Sequence, residues 1–284
     1  MSKFSATIKK PKLPKGIAKV PFIVIALIMV IFPLVFLVSN SLKPNIEMFH
    51  TPRLFPTRID TSHFVTVFAS GRGTLRHIWN SVHVTLITTA VSVSLGSLAA
   101  YALNKLKVRR IVAVITVLIV LVRFYPKITI VIPYFLIMSR LNLLDSTIGI
   151  IIAHVGITIP VVVLIMQTFF RSVPKELEEA AYVDGARTAQ AFFRVVLPVV
   201  KSGLAASALL VAMVSWNEFL LASSIASRNS MTLPIVVAGF VTDRGIDWGA
   251  MAALSVVTVI PIMIIVLVFQ KYLIKGLTSG SVKG

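Results

Sequence analysis

The sequence contains no cysteine and only 10 aspartate and glutamate residues among its 284 residues. The absence of cysteine excludes disulfide bonds and thiolate metal sites, and it leaves the redox compartment undetermined. Charged residues make up only 13% of the chain, about half the share that is usual in soluble domains. Hydrophobic residues make up 57%, so the composition predicts an integral membrane protein.

The formal net charge of +18 is carried largely by basic residues beside the apolar segments. Six lysines precede the first apolar segment, and four further basic residues lie in the segment 105–110. Basic residues in such positions keep the adjoining loops in the cytoplasm. We therefore interpret the basic excess as a signal for membrane topology and expect no binding to nucleic acid.

Six apolar segments are candidates for membrane crossing, which takes about 20 residues of helix. They cover residues 20–38, 78–103, 111–122, 147–170, 203–226 and 248–272. The first is interpreted as an uncleaved anchor rather than a signal peptide, because its apolar part is long and no A-x-A cleavage site follows. The apolar run 128–138 is too short to cross, so we interpret it as an interfacial or re-entrant helix, or as an outer continuation of the third crossing.

The loop charges support a count of six crossings. If the N-terminal lysines face the cytoplasm, six crossings put the loop 105–110, the loop 171–202 and the C-terminal tail on that same side. The predicted fold class is an all-α polytopic membrane protein with both termini in the cytoplasm. Its parts are a basic tail, the first transmembrane helix, an extracytoplasmic loop, a membrane core and a cytoplasmic tail, at residues 1–19, 20–38, 39–77, 78–272 and 273–284.

An acid-rich segment lies in the loop 171–202, where four of the ten carboxylates fall within residues 176–184. Pro174 and the glutamates favour the start of a helix, because its first turn needs no proline N–H and its dipole attracts negative charge. Asp184 and Gly185 favour its end, since glycine adopts the left-handed conformation there. We expect a small apolar face with the glutamates largely beside or opposite it. This face comprises Leu177, Ala180 and Ala181.

A second short helix is expected after this turn, with Thr188 as its N-cap and Pro198 as its break before the fifth crossing. The two helices would form a hairpin at the membrane surface. Interfacial helices that merely rest on lipid usually carry Lys and Arg, whereas this hairpin carries glutamates. We therefore favour docking to a soluble protein over contact with lipid headgroups alone.

The hairpin carries the residues of a known motif. Glu179-Ala180-Ala181, then Gly185, then Val195-x-Leu197-Pro198 resemble the EAA loop of bacterial ABC importer permeases. The segments 216–219 (Trp-Asn-Glu-Phe) and 276–284 are similar to those of the carbohydrate-uptake branch, in particular the smaller maltose-type permease subunit. The resemblance covers the chain from Trp79 or so to its end.

The resemblance implies the six-helix fold of a type I importer permease, with the EAA loop as the coupling helix. A second permease would complete a heterodimer, two cytoplasmic ATPase subunits would hold ATP and Mg²⁺, and an extracytoplasmic binding protein would deliver the solute. This chain has no G-x-x-x-x-G-K-[ST] phosphate loop, so we expect a transport subunit with no enzymatic activity and no cofactor of its own. The expected location is the bacterial inner membrane.

The resemblance also implies which residues couple transport to the ATPase. They are Glu176, Glu179, Ala180, Ala181, Asp184, Gly185, Ala186, Phe192, Phe193, Leu197 and Pro198.

Four polar residues are candidates for the solute pathway or its gate: Asn217, Glu218, Gln167 and Tyr125. A carboxylate at the depth of Glu218 costs about 2.5–3.5 kcal/mol, so it is expected to be paired or to face water. A role in the pathway and a hydrogen bond to the sister permease are both open for it. His83 and His154 lack companions at ligand spacing, so no metal site is expected.

The predicted function is that of a permease subunit in a binding-protein-dependent ABC importer for a sugar, oligosaccharide or polyol. The main alternative is a self-sufficient ion-coupled carrier. Such a carrier would be expected to show ionisable residues in several crossings, whereas Glu218 stands almost alone. A membrane enzyme would need a nucleophile, base or metal ligands clustered on one side of the membrane, and the sequence shows no such cluster.

Overall fold

The computed structural model describes residues 20–50, 53–69, 73–243 and 245–278. The predicted basic tail 1–19 and the end of the predicted C-terminal tail, 279–284, lie outside these ranges. The described residues are almost entirely helical. The helices are α1 (Val20–Ser41), α2 (Asn45–His50), α3 (Ser62–Phe68), α4 (Thr74–Lys105), α5 (Arg109–Phe124), α6 (Lys127–Arg140), α7 (Thr147–Arg171), α8 (Lys175–Val183), α9 (Thr188–Ala191), α10 (Leu197–Val199), α11 (Lys201–Trp216), α12 (Leu220–Ile225), α13 (Leu233–Ala238) and α14 (Trp248–Thr278).

Two smaller elements complete the fold. A π-helical turn, Phe192–Val196, joins α9 to α10, so that residues 188–199 run as one helix. Two short strands, β1 (Val241–Thr242) and β2 (Gly245–Ile246), form an antiparallel hairpin between α13 and α14.

Four of the described helices, α1, α4, α7 and α14, are long and apolar enough to cross a membrane. Two pairs of helices meet this test only when each pair is taken together: α5 and α6 are bent by 93° relative to each other, and the helix 188–199 and α11 by 79°. If each pair is one span, the number of spans rises to as many as six. The protein is therefore an all-helical membrane protein with four to six spans, and the six predicted crossings are the upper value.

The helix boundaries differ most from the predicted crossings at two places. The predicted fifth crossing, 203–226, is interrupted, because α11 ends at Trp216 and α12 begins only at Leu220. The sequence does not reveal this break, because apolar residues continue on both sides of it. The last helix, α14, continues to Thr278, beyond the predicted end at residue 272.

The centre of the bundle is the contact between α4 and α7. A Cβ atom added at Gly96 of α4 would lie 2.6 Å from the Cβ of Val162 in α7, so only glycine permits this approach. Nearby, the hydroxyl groups of Ser92 and Thr158 form a hydrogen bond of 2.7 Å across the same interface. Small residues and polar contacts of this kind hold helices together in lipid, where burial of apolar surface contributes little. We therefore treat α4 and α7 as one packed unit.

The bundle end opposite the loop 171–202 is held by Asp145, which precedes α7. Its carboxylate accepts hydrogen bonds from the backbone N–H groups of Ser227, Asn229 and Ser230 at 2.9–3.0 Å. The Asn80 amide of α4 donates to the carbonyl oxygen of Asn229 at 2.9 Å. This network attaches the loop after α12 to the starts of both α4 and α7.

Candidate functional site: the hairpin between α7 and α11

The first helix of the hairpin, α8, begins directly after Pro174, which is its N-cap and not a residue of its first turn. It ends at Val183 with Asp184 as its C-cap, where the sequence predicted its end. Gly185 follows with a φ of +82°, and nothing would lie within 4 Å of an added Cβ. The N–H groups of Gly185 and Ala186 donate to the carbonyl oxygens of Tyr182 and Ala181 at 3.0 and 2.9 Å. This is the hydrogen-bond pattern of a Schellman motif. The glycine is therefore required by its backbone conformation and not by lack of space.

The second helix starts differently from the prediction. Arg187 occupies the N-cap position, and its N–H donates to the side-chain oxygen of Gln190 at 2.8 Å. Thr188 is instead the first residue inside the helix, so its predicted capping role is wrong. Gln190, three residues after the cap, accepts the hydrogen bond from the backbone N–H of Arg187, which would otherwise have no partner in the helix.

The helix also continues past Pro198 and bends only at Val200, so the predicted break at the proline is wrong. The π-helical turn before it accounts for this difference. A proline ring clashes with the carbonyl four residues earlier in a regular α-helix, and one wider turn relieves that clash. The N–H of Leu197 accordingly donates to the carbonyl of Phe192, five residues earlier.

The predicted coupling residues divide into a buried group and an exposed group. Ala181 and Phe192 are buried, and the Phe192 ring packs against Tyr101 at 4.6 Å between ring centroids. Ala186 and Leu197 are half-buried. The exposed group comprises Glu176, Glu179, Ala180, Asp184, Gly185, Phe193 and Pro198. Leu177, which was expected to share an apolar face with Ala180 and Ala181, is also 43% exposed. The hairpin thus presents an acidic and apolar surface away from the bundle.

Glu178 departs from the expectation that the glutamates lie beside or opposite the packed face, because it is only 9% exposed. Tyr101, near the end of α4, donates a hydrogen bond to its carboxylate. Lys105, the last residue of α4, forms an ion pair with the same carboxylate. Tyr182 of α8 donates a further hydrogen bond of 2.8 Å. Sequence reasoning missed this site. The available signal was the i, i+4 spacing of Tyr101 with Lys105 and of Glu178 with Tyr182.

The surroundings of Glu178 keep it ionised. Burial alone raises the pKa of its carboxyl group, but the hydrogen bonds from Lys105, Tyr101 and Tyr182 and the charge of Lys105 lower it by more. The net pKa therefore lies below the ordinary value. A cavity of about 480 Å³ adjoins the ion pair, between the ends of α4 and α7 and the start of α8.

Glu218, the predicted pathway or gate residue, lies at the break between α11 and α12. Its carboxylate accepts hydrogen bonds from the backbone N–H groups of Leu221 and Ala222, both at 3.1 Å. His154 Nε2 of α7 is 3.4 Å from one carboxylate oxygen, and Lys127 Nζ of α6 is 3.9 Å from the other. Its side chain is 1% exposed. The expected pairing is present, and these partners all belong to this chain.

The other three candidates for the pathway do not join Glu218 in one site. Asn217 is exposed, and its amide donates to the carbonyl of Met213 at 2.8 Å. Gln167 is buried and lies 3.4 Å from the hydroxyl of Thr116 in α5. It follows His154 on α7 by about 20 Å of helix. Tyr125 is 55% exposed in the link between α5 and α6. A role for each of these residues in the solute pathway or its gate stays a prediction.

Within the described part of the chain, no three histidine, aspartate or glutamate side chains come together as metal ligands would. Glu218 and His154 lie 3.4 Å apart, and the third charged side chain beside them is Lys127 of α6. A lysine ammonium has no lone pair to offer a metal.

Comparison with known proteins identifies relatives over most of the chain. A family model described as "Binding-protein-dependent transport system inner membrane component" matches residues 92–279. The trehalose transport system permease protein SugB of Mycobacterium tuberculosis is 35% identical over 261 residues, which cover 89% of this chain and 93% of the relative. The sulfoquinovosyl glycerol transport system permease protein SmoH of Agrobacterium fabrum is 34% identical, with 89% of each chain covered.

A solved structure supports the same fold. The crystal structure of a bacterial ABC transporter involved in the import of the acidic polysaccharide alginate matches with a TM-score of 0.78. The match covers 93% of this chain and 99% of the other, at 23% identity. At that identity the likeness establishes the fold.

Proposed function

The chain belongs to the family of binding-protein-dependent transport system inner membrane components, and we propose that the solute it carries is a carbohydrate. As a member of this family it is a multi-pass inner-membrane permease subunit of an ABC importer. It acts with an ATPase that holds ATP and with an extracytoplasmic binding protein, and it is not itself an enzyme. Family membership sets aside the alternative of a self-sufficient ion-coupled carrier.

The carbohydrate proposal rests on the relatives. The names of those at 32–35% identity include transporters of trehalose, sulfoquinovosyl glycerol, diacetylchitobiose and arabinooligosaccharides. These solutes differ in size and charge, but all contain a sugar ring. The shared feature therefore supports the class of solute. We further propose that a second permease forms a heterodimer with this chain and supplies the other half of the pathway.

The exposed surface of the hairpin is proposed to dock into the ATPase. Glu179 and Ala180 of α8 point away from the bundle and are exposed, as is Phe193 on the second helix. Among the described residues, Glu179 makes no ion pair, so its charge is available to a partner. The buried carboxylate of Glu178 instead attaches the same helix to the membrane core. The face of α8 that carries Glu178 is thus attached to the bundle, and the face that carries Glu179 is free to bind a partner.

The proposed orientation has the hairpin and both termini in the cytoplasm. The ion pair between Lys105 and Glu178 supports it, because it requires the loop after α4 and the hairpin to lie on one side of the membrane. The basic segment 105–110 then assigns that side to the cytoplasm.

Single cysteine labelling tests docking and orientation together, because the natural chain has no cysteine. We expect Ala180→Cys to react with a membrane-impermeant maleimide in inverted vesicles stripped of the ATPase, and to be protected when the ATPase is added back. Leu75→Cys, exposed at the opposite end of the bundle, is the control and should react only in right-side-out vesicles. Reaction of Ala180→Cys from outside the cell would refute the orientation.

Solute class is tested by uptake into proteoliposomes that contain the complete importer. We expect ATP-dependent uptake of at least one labelled disaccharide from a panel, and none of labelled methionine. Uptake of methionine alone would refute the carbohydrate assignment.

A further inference from the structure

The contact between α8 and α4 joins the first helix of the hairpin to a bundle helix to which the backbone does not directly connect it. The residues 172–174 join α8 directly to α7, and the second helix leads directly into α11. Tyr101 of α4 and Glu178 of α8 are instead 77 residues apart in sequence. Any movement that α8 transmits to α4 along this contact therefore depends on side chains.

Four side chains form this contact, two from each helix. Tyr101 and Lys105 lie one turn apart on α4, and Glu178 and Tyr182 lie one turn apart on α8. Tyr101 donates to one carboxylate oxygen of Glu178, and Lys105 forms an ion pair with the other. The Lys105 ammonium also lies 5.4 Å from the Tyr101 ring centroid and 5.9 Å from that of Tyr182. Each helix is thus held at two points, so that it can neither slide nor rotate freely against the other.

Burial distinguishes this contact from an ordinary surface ion pair. The Glu178 side chain is 12% exposed, whereas that of Lys105 is 40% exposed. Exposed ion pairs contribute little because water and salt compete for both charges, but a buried carboxylate needs its partners. The Tyr101 ring also packs against the ring of Phe170 near the end of α7, with 5.7 Å between the ring centroids. The contact therefore rests on the packed unit of α4 and α7.

We propose that Glu178 is a positioning residue through which movement of the hairpin is passed to α4. When the ATPase displaces α8, the contact with Tyr101 and Lys105 makes the cytoplasmic end of α4 follow. Because α4 packs closely on α7 at Gly96, both helices then move together. This inference rests on the proposed docking of the ATPase at the hairpin, and it adds the residues that convey the displacement onward.

The test changes the α4 side of the contact, which leaves the exposed surface of the hairpin intact. Lys105→Gln removes the ion pair, and Tyr101→Phe removes one hydroxyl group. Lys107→Gln is the matched control, since Lys107 is an exposed cation in the same segment and forms no ion pair among the described residues. Each variant is purified with its sister permease and ATPase and reconstituted with the binding protein. Bound ATPase, disaccharide uptake and ATP hydrolysis are measured.

We expect Lys105→Gln to retain the ATPase while uptake per ATP hydrolysed falls at least about fivefold, the lower end of coupling between distant sites. For Tyr101→Phe, uptake per ATP hydrolysed should fall less, and for Lys107→Gln it should equal that of the natural protein. The double variant that exchanges the charges, Lys105→Glu with Glu178→Lys, should restore most of the ratio of uptake to ATP hydrolysis. A merely structural role would lower the yield of complex without changing the ratio.

The outcomes separate this inference from the proposed function. If the natural chain binds no ATPase, the docking proposal fails. If the natural complex works and Lys105→Gln keeps the same ratio as Lys107→Gln, the positioning role is overturned. If Lys105→Gln does not assemble, Tyr101→Phe decides: a lowered ratio supports the role, and an unchanged ratio overturns it.

Discussion

Glu178 and Glu218 are both buried carboxylates close to a lysine from another helix, yet their hydrogen-bond partners differ in kind. The partners of Glu178 are side chains, and two of the three belong to α4. Glu218 is held by two backbone N–H groups of the helix that follows it. The contact of Glu178 is lost if α8 and α4 separate. The hydrogen bonds of Glu218 with α12 persist until the start of α12 unfolds.

The difference follows from the location of each residue. At the break between α11 and α12, the first N–H groups of α12 have no carbonyl partner from a preceding turn, and the Glu218 side chain beside them is only 1% exposed. Glu218 supplies the missing acceptor, and the positive end of α12 favours its charge. At the membrane surface, α8 needs no such acceptor, so Glu178 is available to join two helices.

The largest effect is expected at Glu218. Replacement by alanine leaves buried N–H groups without an acceptor and should lower the free energy of unfolding by about 3 kcal/mol. Glu218→Gln keeps one acceptor oxygen and should lose about 1 kcal/mol. Unfolding in detergent, followed by circular dichroism, measures both. Equal losses would contradict the capping role, and normal transport by Glu218→Gln would show that the charge has no part in the mechanism.

The next largest effect is expected at Gly185, beside Glu178 on the hairpin. A β-branched residue at positive φ costs about 1–2 kcal/mol, which corresponds to roughly a tenfold change in an equilibrium. Gly185→Val should therefore insert normally but lose transport about tenfold. Gly185→Asn should lose less, because asparagine tolerates this conformation. Normal solute-stimulated ATPase activity in the valine variant would contradict the coupling role of the hairpin.

The smallest effect is the pH dependence of Glu178. Because its pKa is lower in the folded protein than the ordinary 4.5, its charge stabilises the fold above that pH, and the contribution is lost as the pH falls through the folded pKa. The unfolding free energies of the natural protein and Glu178→Gln should differ by about 1 kcal/mol or less above pH ~5, and the difference should shrink below it. A difference that grows with acidification would contradict the ion pair with Lys105.

One feature that depends only on neighbouring residues, the end of α8, was predicted correctly. The end of α8 at Gly185 is local, because a glycine after an amphipathic turn forms the same hydrogen bonds in many contexts. The capping and bending of the second helix were not predicted, since Gln190 competes with Thr188 as a local partner and the π-helical turn lets the helix continue through Pro198. Both of these wrong predictions involved two local signals of similar strength.

The amino-acid sequence alone determined that the chain is a helical membrane protein, where its apolar segments lie, and which loop carries the acidic hairpin. Hydrophobicity and turn preference act over a few residues and can therefore be recognised without the fold. Tertiary structure alone decided that Glu178 faces the bundle while Glu179 faces outward, although the two are adjacent in sequence. The reason is that α4 brings a lysine and a tyrosine to one side of α8, and only the packing of distant helices determines which side that is.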